Sequence, residues 1–244
     1  MNPNINKAVA TDVETKQGQM SALRKTSLLA GVLYLLTFIS IPTLTLYEEV
    51  KSANFLIGTG SDTSAIIGGI LEIIVALAGI ATAIVLFPVL KKQNETMAVG
   101  LVAARILEAG TIFVGVAFIL SIVTLKQEGA GTDYLVTSHA LVTLYHRIFL
   151  LGQSFMPAVC DLLLGFLLYK SRLVPRIIAV IGIVGAPILI VGYFTVMFGI
   201  FERLDLVPAL SAVPVALFEF SLGIWLIVKG FDVSKADLLH TLEK

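Results

Sequence analysis

The chain has 244 residues, of which 57% are apolar and only 14% charged, and its mean hydropathy is +0.94. Soluble domains carry roughly a quarter charged residues, so this balance excludes an ordinary soluble globular protein and fits an integral membrane protein. A formal net charge of zero leaves no basic footprint for a nucleic-acid partner, and a single cysteine, Cys160, excludes an internal disulfide.

Residues 1–22, rich in Asn, Gln, Thr and Lys, read as a mobile N-terminal tail. A bilayer core about 30 Å thick needs about 20 apolar residues of helix. Six stretches inside 23–231 meet that length, at about 26–46, 65–89, 97–124, 146–169, 176–200 and 208–228. Backbone polar groups must be satisfied within lipid, so these runs are expected to be helices rather than open strands. The expected fold is all-α, a bundle of six transmembrane helices with short loops, followed by a C-terminal tail at 232–244. The first run begins after a long polar stretch and shows no small-residue cleavage site, so it reads as a retained span and not a signal peptide.

The basic residues set an orientation. With the N-terminus inside, twelve of the seventeen Lys and Arg fall in cytoplasmic stretches, against Lys51, Lys126 and Arg203 on the other side. The positive-inside rule then places both termini in the cytoplasm. Pro42, Pro157, Pro187 and Pro214 fall in or near spans and mark expected bends.

Ionised groups inside these runs are the main functional clue. The second span holds Glu72, the third Arg105 and Glu108, the fourth Asp161 and the sixth Glu219. Arg105 and Glu108 are three residues apart, about 60° around a helix axis, so their side chains can meet on one face. A charged residue at the bilayer centre costs about 2.5–3.5 kcal/mol on insertion scales, so the pair is expected to face the bundle. Four acids then share one deep arginine. Either some of the carboxyls carry protons, or a cation enters, or the acids serve as hydrogen-bonding partners between helices. Short matches around Glu72, Glu108 and Glu219 hint at an inverted repeat of three plus three spans, but three apolar residues recur easily by chance.

Enzyme signatures are missing. Gly152 and Ser154 in the fourth span resemble the Gly-x-Ser of rhomboid proteases, but the sixth span offers no histidine as base. His139 and His146 lie two turns apart on one segment and His240 lies in the tail, an arrangement that suits neither haem nor H-E-x-x-H zinc chemistry. No catalytic residue, cofactor site or metal site is assigned.

Several stretches occur together: "LFPVLKK" at 86–92, "RILEA" at 105–109, "LVPR" at 173–176 and "WLIVKGF" at 225–231. In this order and spacing they resemble a bacterial six-span membrane family of unknown function, DUF4386, over nearly the whole chain. The resemblance implies a multi-pass protein of a bacterial inner or plasma membrane with no activity to carry over. Its recurring polar features match Arg105, Glu108 and Glu219, whereas Asp161 stands where an amide is expected in relatives.

The expected function is therefore that of a membrane protein whose site (Glu72, Arg105, Glu108, Asp161 and Glu219) binds or moves protons, a cation or a small solute. The contrasting reading is a non-transporting component that organises partner proteins, with its buried charges serving helix specificity alone. Apart from the lipid bilayer, no partner is identified from the sequence.

Overall fold

In the computed structural model, residues 22–129 and 131–232 are described; most of both expected tails, with His240, lies outside them. Among the described residues there are no strands, and six helical segments are long and apolar enough to cross a membrane. We label them α1 (Ala22–Leu46), α2 (Asp62–Leu90), α3 (Glu95–Gln127), α4 (Gly131–Ser171), α5 (Arg176–Met197) and α6 (Leu206–Val228).

Local chemistry fixes several helix ends. The Ser61 hydroxyl accepts from the Ser64 N–H at α2, and Asn94 Oδ1 accepts from the Met97 N–H at 2.9 Å at α3, each satisfying a backbone donor that the first turn leaves free. At the end of α4, Arg172 takes a left-handed conformation (φ 55°), and Pro175 precedes α5.

Each helix packs against the next, and α1 meets α6 to close the circle. The closure needs glycine, because a Cβ on Gly31 would lie 2.7 Å from the Gly223 carbonyl oxygen. Beside this contact Arg24 donates to the Leu226 and Ile227 carbonyls at the C-terminus of α6. These oxygens lack helical partners, and a cation there also suits the helix dipole.

Helix α2 shows how the faces divide. Its inward side carries Ala65, Gly68, Gly69, Glu72, Ala76 and Ala83, small apart from one acid. On the outward side Ile70, Leu77 and Ile84, seven residues apart, are each more than half exposed. An apolar stripe of this kind in every span suits lipid rather than water.

The fourth segment is longer than its expected span of 146–169. It is one helical run of 41 residues interrupted by a π-helix at Leu150–Phe155. Pro157 supplies a reason: with no N–H, it cannot bond the Gln153 carbonyl four residues back, and the turn widens. The expected bend is thus a local change of helix type.

Candidate functional site

Arg105 is buried on the inward face of α3. Its stem crosses α2 at Gly79, where an added Cβ would stand 3.8 Å from Arg105 Cδ. Nη1 donates to Glu108 Oε2 at 2.9 Å, and Nη2 donates to Glu219 Oε1 on α6 at 3.0 Å. Nη2 is also 3.4 Å from the Tyr34 hydroxyl of α1, whose ring centroid lies 5.7 Å from the guanidinium carbon. One arginine therefore joins α1, α3 and α6 and rests against α2.

Asp161 of α4 completes the cluster in a different way. Its Oδ1 is 3.8 Å from Arg105 Nη2, within ion-pair range but too far for a hydrogen bond. The residue is 0% exposed and neither of its oxygens has a hydrogen-bond partner. The adjacent Cys160 donates its thiol to Glu108 Oε2 at 3.5 Å. Three carboxylates thus surround one guanidinium, and the nominal charge of the group, three negative against one positive, is two negative.

Glu72 is not part of this group. Its Oε2 accepts from Tyr47 at 3.3 Å, and its Oε1 accepts from Tyr145 at 3.4 Å and from the Gln153 amide at 3.3 Å. Tyr47 and Tyr145 stand edge to face, with centroids 5.6 Å apart, so the acid is held by two rings and an amide rather than by arginine. Gln153 lies in the π-helical turn, which aims its side chain across the bundle at α2.

A cavity of about 250 Å³ opens beside the cluster: Arg105, Glu108, Glu219 and Gln153 line it, together with the exposed Ile41, and Gln153 in turn reaches Glu72, which lies off its wall. Its wall is largely apolar, but with these polar side chains on it a space of this size admits water. Among the described residues, no group of three or more His, Cys, Asp and Glu is placed to hold a metal ion. The carboxylates converge on the guanidinium, not on a common empty point.

Sequence reasoning on charged residues alone missed Tyr34, Tyr47, Tyr145, Gln153 and Cys160. Their signal was present as hydrogen-bonding side chains within apolar runs. Gln153 was the clearest, an amide four residues before a proline.

A bundle with outward apolar stripes and an ion-paired centre has the make-up of a multi-pass membrane protein. The chain belongs to the family described as Domain of unknown function (DUF4386), whose model matches residues 29–230 and so covers all five site residues. No curated protein and no solved structure matches it.

Proposed function

We propose that the protein is a multi-pass protein of a bacterial inner or plasma membrane, and that the Arg105 cluster binds and passes protons. The observation that carries this reading is the unequal count of charges around Arg105, with Asp161 sealed and unbonded beside it. Two uncompensated negative charges in a low-dielectric interior are costly, since each buried ion loses several kcal/mol of hydration. Two protons shared over Glu108, Asp161 and Glu219 neutralise the group and give the Asp161 carboxyl a hydrogen to donate. The cavity beside Glu108 and Glu219 offers water for delivering and removing them, and Gln153 links that water to Glu72. The same balance can be met by a cation entering the cavity, and the two cases differ in what crosses the membrane.

The test is flux. Proteoliposomes loaded with a pH-sensitive dye and given a potassium diffusion potential should acidify when the protein is present. Glu108→Gln and Glu219→Gln should each reduce the rate at least tenfold, with the variants still eluting as monodisperse protein. Proton flux unchanged in both variants would reject the assignment, and flux that requires sodium on one side would identify the cation form.

A second reading has its own support. Besides Glu108 on its own helix, Arg105 pairs with Glu219 on α6 at 3.0 Å, and a buried cross-helix pair of this kind can serve helix specificity alone. That reading expects both variants to lose thermal stability in a protein that carries no flux from the start.

A further inference from the structure

Four basic side chains stand at the end of the bundle away from the termini: Lys51, Lys126, Arg147 and Arg203. Lys126 is neutralised, with Nζ 2.9 Å from Asp62 Oδ1 and also donating to the Gly60 carbonyl. The other three line one cavity of about 430 Å³, formed by the middle of α4 from Thr143 to Leu150, the end of α5, Lys51 of the loop at 47–61 and the loop at 198–205. Among the described residues none of the three forms an ion pair. The acid on the cavity wall, Glu202, is exposed, and Glu48 near Lys51 is exposed and off the wall.

Two of the cations are partly withdrawn from water. Arg203 has its guanidinium carbon 4.1 Å from the Phe149 ring centroid, and its Nη1 is buried with no hydrogen-bond partner. Lys51 is half-buried, with Nζ 5.9 Å from the Tyr145 ring centroid. Burial holds both below their ordinary basicity, and the Arg203 charge lowers Lys51 further. An anion placed between them relieves both effects.

The cavity continues inward. Leu150, Val196, Arg203 and Leu204 also line a second space of about 330 Å³ between α4, α5 and α6. Its walls are largely apolar, including Leu189, Tyr193 and Val215, as far as Glu219. A small inorganic anion would use the mouth and leave this space empty. A ligand with an anionic head and an aliphatic body fits both.

We propose that the vestibule binds an amphiphilic anion, a carboxylate or phosphate on an aliphatic chain, with its head on Lys51, Arg147 and Arg203 and its chain between α4, α5 and α6. The head site is separate from the Arg105 cluster, which the chain space meets only at its inner end, at Glu219, and binding of the head does not depend on proton movement.

The full-length protein in phosphatidylcholine nanodiscs is titrated calorimetrically with decanoate, decyl phosphate and, as the charge-reversed control, decyltrimethylammonium. Native mass spectrometry of protein taken from membranes containing phosphatidylglycerol forms a second arm. Saturation at one decanoate or decyl phosphate per chain supports a free amphiphile, and one retained phosphatidylglycerol per chain supports a bilayer lipid as the source. Hydrogen bonds to charged groups are worth about 1.5–3 kcal/mol, so Lys51→Gln and Arg203→Gln should each weaken binding roughly tenfold or more. Lys126→Gln, on the same end but already paired, should leave it unchanged. The proposal is overturned if neither anion binds stoichiometrically and no phosphatidylglycerol is retained, or if the cationic control binds as well. It is equally overturned if Lys51→Gln binds like the unmodified protein or if Lys126→Gln weakens binding as much. Lys51 lies in a loop, so its variant decides the matter even if Arg203→Gln fails to fold.

Discussion

Asp161 and Arg105 share an ion pair but should respond to substitution in opposite ways. Removing Arg105 leaves Glu108, Glu219 and Asp161 facing one another with no cation, and breaking a buried pair from one side costs about 3–5 kcal/mol. An amide at Asp161 fixes the neutral form that the proposed protons supply, and no existing hydrogen bond of its oxygens is lost. We therefore expect Arg105→Gln to lower the thermal midpoint of the detergent-solubilised protein sharply, and Asp161→Asn to hold or raise it. Trp225, the single tryptophan, gives an intrinsic fluorescence signal for the measurement. Equal losses in the two variants would mean that the Asp161 carboxyl supports the cluster and is not surplus to it. The pairing of Arg105 with Glu108 was legible in the sequence, since a three-residue separation fixes their relation on any helix. Which other acids reach the arginine was not legible. It depends on how α2, α4 and α6 are rotated about their axes, and no spacing within one helix encodes that rotation. Glu72 and Glu219 look alike as lone acids in apolar runs, yet the first meets two tyrosines and the second meets Arg105.

Among the helices, contact distance decides what each glycine is for. Gly68 of α2 lies under the ring of Tyr47, and a Cβ there would overlap the ring carbons. Gly110 of α3 has nothing within 4 Å of its added Cβ. Gly68→Ala should therefore displace Tyr47, weaken its bond to Glu72 and cost about 1–3 kcal/mol through overpacking. Gly110→Ala should cost nothing and gain up to about 1 kcal/mol from helix propensity. Thermal midpoints of the two variants, compared in one detergent, check the contrast, and a stable Gly68→Ala would show that the ring has room to move. The existence of both helices could be read from apolar length. Their inner faces could not: α2 is apolar nearly all round, so hydrophobicity alone does not say which side meets protein. The π-helical turn of α4 was half legible, because Pro157 announced a break in the hydrogen-bond ladder without saying whether it would appear as a kink or as a widened turn.

For the whole molecule, the arrangement of charge at the two ends sets a testable orientation. One end gathers Arg24, Lys25, Lys91, Lys92, Lys170, Arg172, Arg176 and Lys229, and the other holds Lys51, Lys126, Arg147 and Arg203. The short loops keep these residues close to the helix ends, where the positive-inside bias acts most strongly. On that bias the first end is expected in the cytoplasm, and the vestibule proposed above is expected on the outer face, open to ligands from outside the cell or from the outer leaflet. Labelling can decide this cleanly, because Cys160, the one native thiol, is 0% exposed and bonded to Glu108. Ser52→Cys places a thiol in the loop beside Lys51, and Gln93→Cys places one between α2 and α3. A membrane-impermeant maleimide added to intact cells should modify Ser52→Cys and spare Gln93→Cys until the membrane is opened, with the unmodified protein unlabelled throughout. The reverse pattern would turn the bundle over and expose the vestibule to the cytoplasm. Its ligand would then have to come from inside the cell, while the Arg105 cluster, reached through its own cavity, would keep the same chemistry.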